Sequence, residues 1–334
     1  MLKKKDFVKK ITILAGAALL LLLSFVLCIV FGSTKINFAD FIKAVNNGDK
    51  GSAVYRIVWY VRMPRALAAM LSGMALSVSG IIIQAVLNNS LAAPNIIGVN
   101  AGAGFAALFI IGIFPGLYKL MPVAAILGAL LASLTVFGLT ARTGASKITI
   151  TLAGIAISSM LTAGMNAVKT FFPDTAYNAN TFLIGGFSGI SYRNLNYTWI
   201  LIILGIVMAF VLAKDIDLLM LGDTTARSLG MNVTALRFVL LVIASLLAGC
   251  AVSFAGLLGF VGLIIPHIVR QLVGTNHRIV IPLGVLMGGS FVLICDLISR
   301  CLFAPYEIPV GIILSLLGAP FFLFLILGRR RGKI

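Results

Sequence analysis

Charged side chains are scarce in this sequence, and acidic ones are the scarcest. Only 10% of the 334 residues are charged, with nine Asp and Glu in total and a single glutamate, Glu307. A soluble domain carries about 25% charged residues, so this composition excludes one. The 60% of hydrophobic residues also exclude a disordered protein. At roughly 20 residues per membrane helix, this apolar content predicts an all-α polytopic membrane protein with about ten spans.

Motifs of catalysis and metal binding are missing as well. The four cysteines form no CxxC pair, no segment fits GxxxxGK[ST], and no acidic pair falls in the middle of an apolar run. A membrane enzyme needs a nucleophile–base or metal cluster, and a proton-coupled carrier normally has a central carboxylate. We therefore predict no catalytic site, no metal and no cofactor in this chain. By elimination, the sequence predicts a permease that is driven by another protein.

The apolar runs and their breakers define the predicted spans. The basic N-terminus followed by an apolar run is similar to a signal peptide, but its length and the lack of a clean cleavage site favour a membrane helix. Ten spans within one transmembrane domain, residues 1–334, are predicted at 11–32, 63–87, 94–113, 119–140, 149–171, 196–213, 234–255, 257–272, 279–300 and 309–328.

The basic residues predict the orientation of these spans. The net charge of +17 does not indicate nucleic-acid binding, because most Lys and Arg lie at the ends of apolar runs. With both termini in the cytoplasm, 16 of the 26 basic residues fall inside, and six of the ten outside lie between Lys35 and Arg65. The predicted outer loops are 33–61, with a possible short helix at 38–45, and 173–195. The longest inner loop is predicted at 214–231.

An internal repeat relates the two halves of the chain. Three ordered matches, each between residues five spans apart, link 73–80 with 249–256, Pro122 and Gly128 with Pro282 and Gly288, and 154–158 with 311–315. Because an odd number of spans separates the copies, they must face opposite ways. The sequence therefore predicts an inverted repeat of spans 2–5 and 7–10, the architecture of many transporters.

A few polar residues have two possible interpretations. Asp296 and Arg300 lie four residues apart on one face of span 9, either as a local pair or with Arg300 facing an external partner.

In the inner loop, Asp223 is a good N-cap and Gly230 a good C′ residue for a short protruding helix. His277 is predicted to lie in a loop. The protruding helix is the obvious place for an external energy source to act.

Several motifs together resemble the permeases of iron-chelate and cobalamin importers, the FecCD-type family of ABC transporters. The resemblance covers roughly residues 55–325 and rests on six ordered motifs. These are RMPR at 62–65, Gln84 with NSLAAPNIIG at 89–98, GDTTARSLG at 222–230, GFVGLIIPHIVR at 259–270, EIPVG at 307–311 and GAP at 318–320.

The resemblance implies a permease dimer, with identical or closely related subunits, two cytoplasmic ATPases that use ATP and magnesium, and an extracytoplasmic substrate-binding protein. It implies an ATPase-coupling loop that contains Gly222, Asp223, Ala226, Arg227, Leu229 and Gly230. It also implies that Arg62, Arg65 and Arg300 dock acidic residues of the binding protein. Spans 5 and 10 would line the central path, with Gly154, Ser158, Gly185, Gly186, Gly311 and Ser315, and residues 185–189 would belong to a short outer helix.

The expected function is import of an iron chelate across the bacterial cytoplasmic membrane by alternating access. A ferric siderophore is the favoured cargo, and haem and cobalamin are alternatives within the same family. An ATP-independent secondary transporter with inverted repeats is the alternative from a different class. In every case the chain is a multi-pass protein that contacts membrane lipid and no nucleic acid.

Overall fold

The computed structural model describes residues 2–34, 36–46, 50–142 and 147–330, and every regular element within these ranges is helical. Among the described residues, seven helices are long and apolar enough to cross a membrane, and three shorter apolar helices complete the ten predicted spans. The prediction of an all-α polytopic membrane protein is therefore confirmed. Spans 1–10 are named below by their main helices: Leu2–Val30, Met63–Val86, Val99–Ile113, Met121–Arg142, Lys147–Phe171, Thr198–Val211, Val233–Ala255, Val261–Val273, His277–Cys301 and Val310–Arg330.

Span 2 begins well before its predicted start, so the predicted loop 33–61 is too long. Helix Ala53–Arg56, whose N-cap Ser52 accepts a hydrogen bond from the Tyr55 N–H, continues as a π-helix over Ile57–Arg62 and then enters the main helix. The π-helical turn lies directly before Pro64, whose ring and missing N–H disturb α-helical bonding to the preceding turn. The predicted short helix in the same loop is present at Phe38–Asn46, whereas Lys35 lies outside the described residues.

The connection after span 5 differs from the prediction. Its helix, Thr175–Ile184, precedes residues 185–189 instead of containing them, so the prediction of a short helix at 185–189 is wrong. Gly185 and Gly189 both have positive φ angles, of 79° and 73°, and this conformation cannot continue a right-handed helix. The remaining short helices of the described residues are Pro94–Ile97, Pro115–Leu120, Tyr192–Leu195, Ala213–Leu219 and Asp223–Ser228.

Spans 2, 7 and 9 form the centre of the bundle. Span 2 packs against both span 7 and span 9, and it is the most deeply buried of the candidate membrane helices. Spans 1 and 5 lie at the periphery and expose most of their surface. Three of the cysteines, Cys28, Cys250 and Cys295, are buried and unbridged, as expected for small core residues.

Close helix contacts recur at positions that the internal repeat relates. A Cβ atom on Gly73 of span 2 would lie 2.1 Å from the carbonyl oxygen of Gly288 in span 9, so only glycine permits this approach. The repeat pairs Gly73 with Gly249 of span 7, and a Cβ there would lie 3.0 Å from the side chain of Ala129 in span 4. Span 2 thus meets span 9 as span 7 meets span 4, which is the arrangement that an inverted repeat requires.

Candidate functional site

The predicted coupling loop is largely helical. Helix Ala213–Leu219 follows span 6 directly, and helix Asp223–Ser228 begins after a short break. Gly222 is the N-cap of the second helix and has a φ of 103°, which residues with a side chain rarely adopt. Gly230 lies just past the C-terminus with a φ of 82°, as predicted for a C′ residue. The prediction that Asp223 is the N-cap is wrong, because Asp223 is the first helical residue and its carboxylate binds Arg237 instead.

The two faces of the coupling helix, Asp223–Ser228, differ sharply. Ala226 is completely buried against the rest of the chain, whereas Arg227 is exposed. Two leucines flank the helix, and both present their side chains to the outside: Leu221 is 60% exposed and Leu229 is 61% exposed. A short helix anchored by a small buried residue and bordered by exposed leucines is suited to dock into a partner protein.

An ion pair holds the coupling helix to span 7. Nη1 and Nη2 of Arg237 donate to the two carboxylate oxygens of Asp223 at 2.8 and 2.7 Å. Bidentate pairing of this kind fixes orientation as well as distance, because the planar guanidinium matches the carboxylate. The start of the coupling helix therefore has a defined position relative to the N-terminal half of span 7.

A second contact ties the same loop to span 9. His277 is the first residue of span 9 and is fully buried, so the prediction that it lies in a loop is wrong. Its Nδ1 lies 2.6 Å from Oδ1 of Asp217, and its backbone N–H donates to the same oxygen at 3.1 Å. No pattern in the sequence indicated this pair, which joins residues 60 positions apart.

The first of the predicted docking arginines is buried where spans 1 and 2 meet. Arg62 donates from Nη1 to the carbonyl oxygen of Ile29 at 2.9 Å and from Nη2 to that of Thr34 at 2.6 Å. It also donates to the Val30 carbonyl at 2.5 Å. Two of these contacts give a hydrogen-bond donor to carbonyl groups at the C-terminal end of span 1, which have no partner within the helix. Arg62 thus joins spans 1 and 2 at the predicted outer end of the bundle.

The other two arginines share one buried carboxylate. Arg65 donates from Nε and Nη2 to Oδ1 of Asp296 at 3.1 and 3.0 Å, and Arg300 Nε lies 3.1 Å from Oδ2. Asp296 has no exposed surface, so its negative charge is fully removed from water. The positive charges of Arg65 and Arg300 compensate it. The local pairing of Asp296 with Arg300 is therefore confirmed. All three arginines are buried and bonded within the chain. Docking of a partner by these arginines stays a prediction.

Glu307 completes this outer charge network, which consists of Arg62, Arg65, Asp296, Arg300 and Glu307. Its Oε2 accepts from Nη1 of Arg65 at 2.6 Å, and its Oε1 accepts from Oγ of Ser33 at 2.7 Å. Burial alone would raise the pKa of Glu307, but the hydrogen bonds and charge of Arg65 outweigh burial and hold it below the ordinary value of 4.5. No role was predicted for Glu307 from the sequence, although it is the only glutamate in the chain.

Two of the residues predicted to line the path, Gly154 and Gly311, are related by the repeat, and each makes a tight backbone contact. A Cβ on Gly154 would lie 1.9 Å from the carbonyl oxygen of Ile96, and one on Gly311 would lie 1.8 Å from that of Ile184. Both glycines are buried, so the backbone of each span presses against a neighbouring segment. Gly311 is also bonded through its N–H to the carbonyl oxygen of Gly185 at 3.1 Å.

The remaining residues of the predicted path lie beside these contacts. The hydroxyl of Ser158 is buried with no hydrogen-bond partner among the described residues, whereas Ser315 is exposed and bonds to the Gly311 carbonyl at 2.8 Å. Gly186 donates to the Ala255 carbonyl at 2.8 Å, which holds it against the end of span 7. Lining of a path by spans 5 and 10 stays a prediction.

A polar side chain, Gln84, is buried at the predicted inner end of span 2. It accepts a hydrogen bond from Arg270 of span 8, which links the inner ends of spans 2 and 8. Within the described ranges, no group of three or more His, Cys, Asp or Glu could hold a metal ion.

Comparison with known proteins identifies the family. A profile of the FecCD transport family matches residues 20–328. The chain belongs to this family. Its relatives include the iron(3+)-hydroxamate import system permease protein FhuB of Bacillus subtilis, which is 36% identical over 96% of this chain and 84% of FhuB. Another relative, the iron-uptake system permease protein FeuB of the same organism, is 32% identical over 93% of both chains.

Two further proteins match this chain: another transport-system permease and a protein of solved structure. The achromobactin transport system permease protein CbrC of Dickeya dadantii is 35% identical over 94% of this chain and 90% of its own. A solved structure described as an inward-facing metal-chelate type ABC transporter covers 95% of this chain and 99% of its own, with a TM-score of 0.84 and 28% identity. This FecCD protein therefore has the fold of its family over almost its entire length.

Proposed function

We propose that this chain is the transmembrane permease subunit of an ATP-binding-cassette importer and that it translocates a ferric siderophore. The relatives named above are permeases of iron(3+)-hydroxamate, iron and achromobactin systems. The structural observation that carries the proposal is the coupling helix Asp223–Ser228, with its exposed flanking leucines and with the Asp223–Arg237 and Asp217–His277 contacts that hold this part of the chain to spans 7 and 9. A transporter driven only by an ion gradient has no need for such a docking helix.

The proposed assembly contains four further subunits. A second permease, identical or closely related, completes the membrane domain, and two cytoplasmic ATPases bind ATP and magnesium. An extracytoplasmic binding protein delivers the chelate. Because the ATPases bind the ATP and magnesium, this chain needs no cofactor of its own. Both termini and the coupling helix lie on the cytoplasmic side in this proposal. The basic residues near the N-terminus support this orientation.

The contacts of the coupling loop suggest how ATPase movement reaches the membrane. Closure of the two ATPases would push on Leu221 and Leu229 and shift the coupling helix. The Asp223–Arg237 pair transmits this shift to span 7, and the Asp217–His277 contact transmits it to span 9. Spans 7 and 9 pack against the central span 2, so a displacement at the loop spreads through the bundle to spans 5 and 10, where we place the path.

The binding protein is proposed to dock at the opposite end of the bundle. There the outer charge network gives the surface an excess of positive charge, which attracts acidic side chains and increases the association rate. Because Arg62, Arg65 and Arg300 are buried, a partner carboxylate must reach them at the rim of the network, where Glu307 lies.

Transport by the reconstituted complex is the direct test. Proteoliposomes that contain the permease, its ATPase and the binding protein of the same system should take up radioactive iron from a ferric siderophore only when ATP is supplied. Uptake of haem or cobalamin, but no ferric siderophore, would change the assigned cargo and leave the importer in place. Uptake by the permease alone under a proton or sodium gradient would replace the importer with a secondary transporter.

A further inference from the structure

The outer charge network contains one more arginine than it has carboxylates. Three arginines bring three positive charges, and Asp296 and Glu307 bring two negative ones. The two carboxylates differ in their access to solvent, because Asp296 is completely buried whereas the Glu307 side chain is 28% exposed. An arriving acidic group would therefore meet Glu307 before any other carboxylate of this network.

Glu307 also connects three separate segments of the chain. It precedes span 10, it accepts from Arg65 near the start of span 2, and it accepts from Ser33 just after span 1. The other oxygen contacts of the Arg65 guanidinium go to Asp296 behind it. The Nη1 of Arg65 is thus held by the one partly exposed member of the network.

A second carboxylate could replace Glu307 at a low energetic cost. Removing one partner from a buried ion pair is costly because the other charge remains unpaired. That cost does not arise if an incoming carboxylate accepts from Arg65 while Glu307 turns to solvent, since both charges stay solvated or paired. The exchange would break the link between Ser33, Arg65 and the segment before span 10, and so it would loosen spans 1, 2 and 10 from one another at this end.

We propose that Glu307 is an intramolecular competitor for an acidic side chain of the extracytoplasmic binding protein, and that docking displaces it from Arg65. The inference rests on the proposed function, because it requires a binding protein that docks at this end. In the free permease, Glu307 occupies Arg65 and keeps the outer ends of the spans together. On docking, the partner's carboxylate takes its place, and the arrival of cargo is transmitted to the spans.

The test measures capture of the binding protein by the permease–ATPase complex in lipid nanodiscs. Glu307→Gln keeps the shape and the hydrogen-bonding oxygen but removes the competing charge, so capture should tighten by about tenfold. Ser33→Ala removes only one hydrogen bond to Glu307 and should tighten capture in the same direction by about twofold to threefold. Asp40→Asn is the matched control, because it removes the same charge from the exposed outer helix Phe38–Asn46.

The possible results separate the inference from the proposed function. If the wild-type complex captures the binding protein and both Glu307→Gln and Ser33→Ala leave capture unchanged or weaker, the competition is overturned and the importer stands. Equal tightening by Asp40→Asn would reveal a general field effect and would also overturn the competition. If Glu307→Gln does not fold, Ser33→Ala alone decides the question. Absence of capture by the wild-type complex would overturn docking itself, and the inference with it.

Discussion

Asp223 at the start of the coupling helix and Arg237 of span 7 are joined by two hydrogen bonds of 2.7 and 2.8 Å. The pair connects the part of the chain that an ATPase would contact with one of the three central spans. It is only partly buried, with side-chain exposures of 41% for Asp223 and 18% for Arg237, so its contribution to the stability of the fold is modest. Its geometry suits a mechanical link better than a structural core contact.

Loss of this link should uncouple ATP hydrolysis from transport. We expect Arg237→Gln to lower the amount of chelate transported per ATP hydrolysed by about tenfold, which corresponds to roughly 1.4 kcal/mol of coupling. Assembly with the ATPase should persist, because the exposed leucines are unchanged. Uptake and phosphate release are measured together in proteoliposomes.

Two variants make the Asp223–Arg237 prediction specific. Exchange of the charges, Asp223→Arg with Arg237→Asp, should restore part of the coupling because the pair can form again in reverse. Lys214→Gln removes a charge from an exposed position in the same loop and should leave coupling as it is. A loss as large in Lys214→Gln as in Arg237→Gln would show that loop charge, and not this pair, determines coupling.

Leu229 and Ala226 should respond to substitution for different reasons. Leu229 is exposed, so Leu229→Asp should leave the permease folded but weaken its association with the ATPase by about 100-fold, because it places a charge in an apolar interface. Ala226 is buried within the chain, so Ala226→Leu should overpack the base of the helix and destabilise the permease by about 1–3 kcal/mol.

Thermal unfolding in detergent and co-purification with the ATPase separate these two effects. Leu229→Asp should fail in co-purification with a normal unfolding temperature, and Ala226→Leu should unfold at a lower temperature even without the ATPase. Normal co-purification of Leu229→Asp would remove Leu229 from the interface with the ATPase.

The sequence predicted the spans because each apolar run has to cross the same thickness of hydrocarbon. The sequence also predicted the position of the coupling helix. Gly230 marks its C-terminal end, because glycine readily adopts the positive φ that a C′ residue needs. The start of span 2 was missed because Arg56 and Arg62 interrupt the apolar residues at 53–62 and Pro64 follows them, although these residues continue the helix.

The side-chain contacts of the site could not be predicted in the same way. Asp217 meets His277 across 60 positions, and Arg65 meets Asp296 across 231. Such contacts depend on how spans pack against one another, and no local pattern specifies this packing. The sequence left two alternatives for Arg300, and only the observed burial of Asp296 between two arginines favours the local pair.

Removal of Arg65 should destabilise the fold more than removal of an exposed charge nearby. In Arg65→Gln, Oδ1 of Asp296 loses both hydrogen bonds to the guanidinium while remaining completely buried. Breaking a buried charge pair in this way costs about 3–5 kcal/mol, which a thermal unfolding assay in detergent resolves. Asp296→Asn in the same background should not recover the loss, because the buried Arg300 also pairs with Asp296 and would then lose its carboxylate.

Lys43→Gln provides the control for Arg65→Gln. Its side chain is 72% exposed on the outer helix, so we expect a change within about 0.5 kcal/mol. Comparable unfolding temperatures for Arg65→Gln and Lys43→Gln would mean that Asp296 is stabilised by Arg300 alone.

The contribution of Glu307 to stability should depend on pH in a defined direction. Because the folded state holds the pKa of Glu307 below 4.5, folding favours the charged carboxylate. The resulting stabilisation is fully present above the ordinary pKa, and it is lost as the pH falls below 4.5 through the folded-state pKa. The wild type should therefore be more stable than Glu307→Gln at neutral pH, by about 1 kcal/mol for one hydrogen-bonded pair, and the difference should shrink in acid.

Unfolding temperatures of both proteins, measured in detergent from pH 7 down to about 3.5, provide the comparison. A difference that stays constant across this range would mean that the hydrogen bonds of Glu307 stabilise the fold equally well without its charge, and the electrostatic part of the Arg65–Glu307 contact would then be negligible.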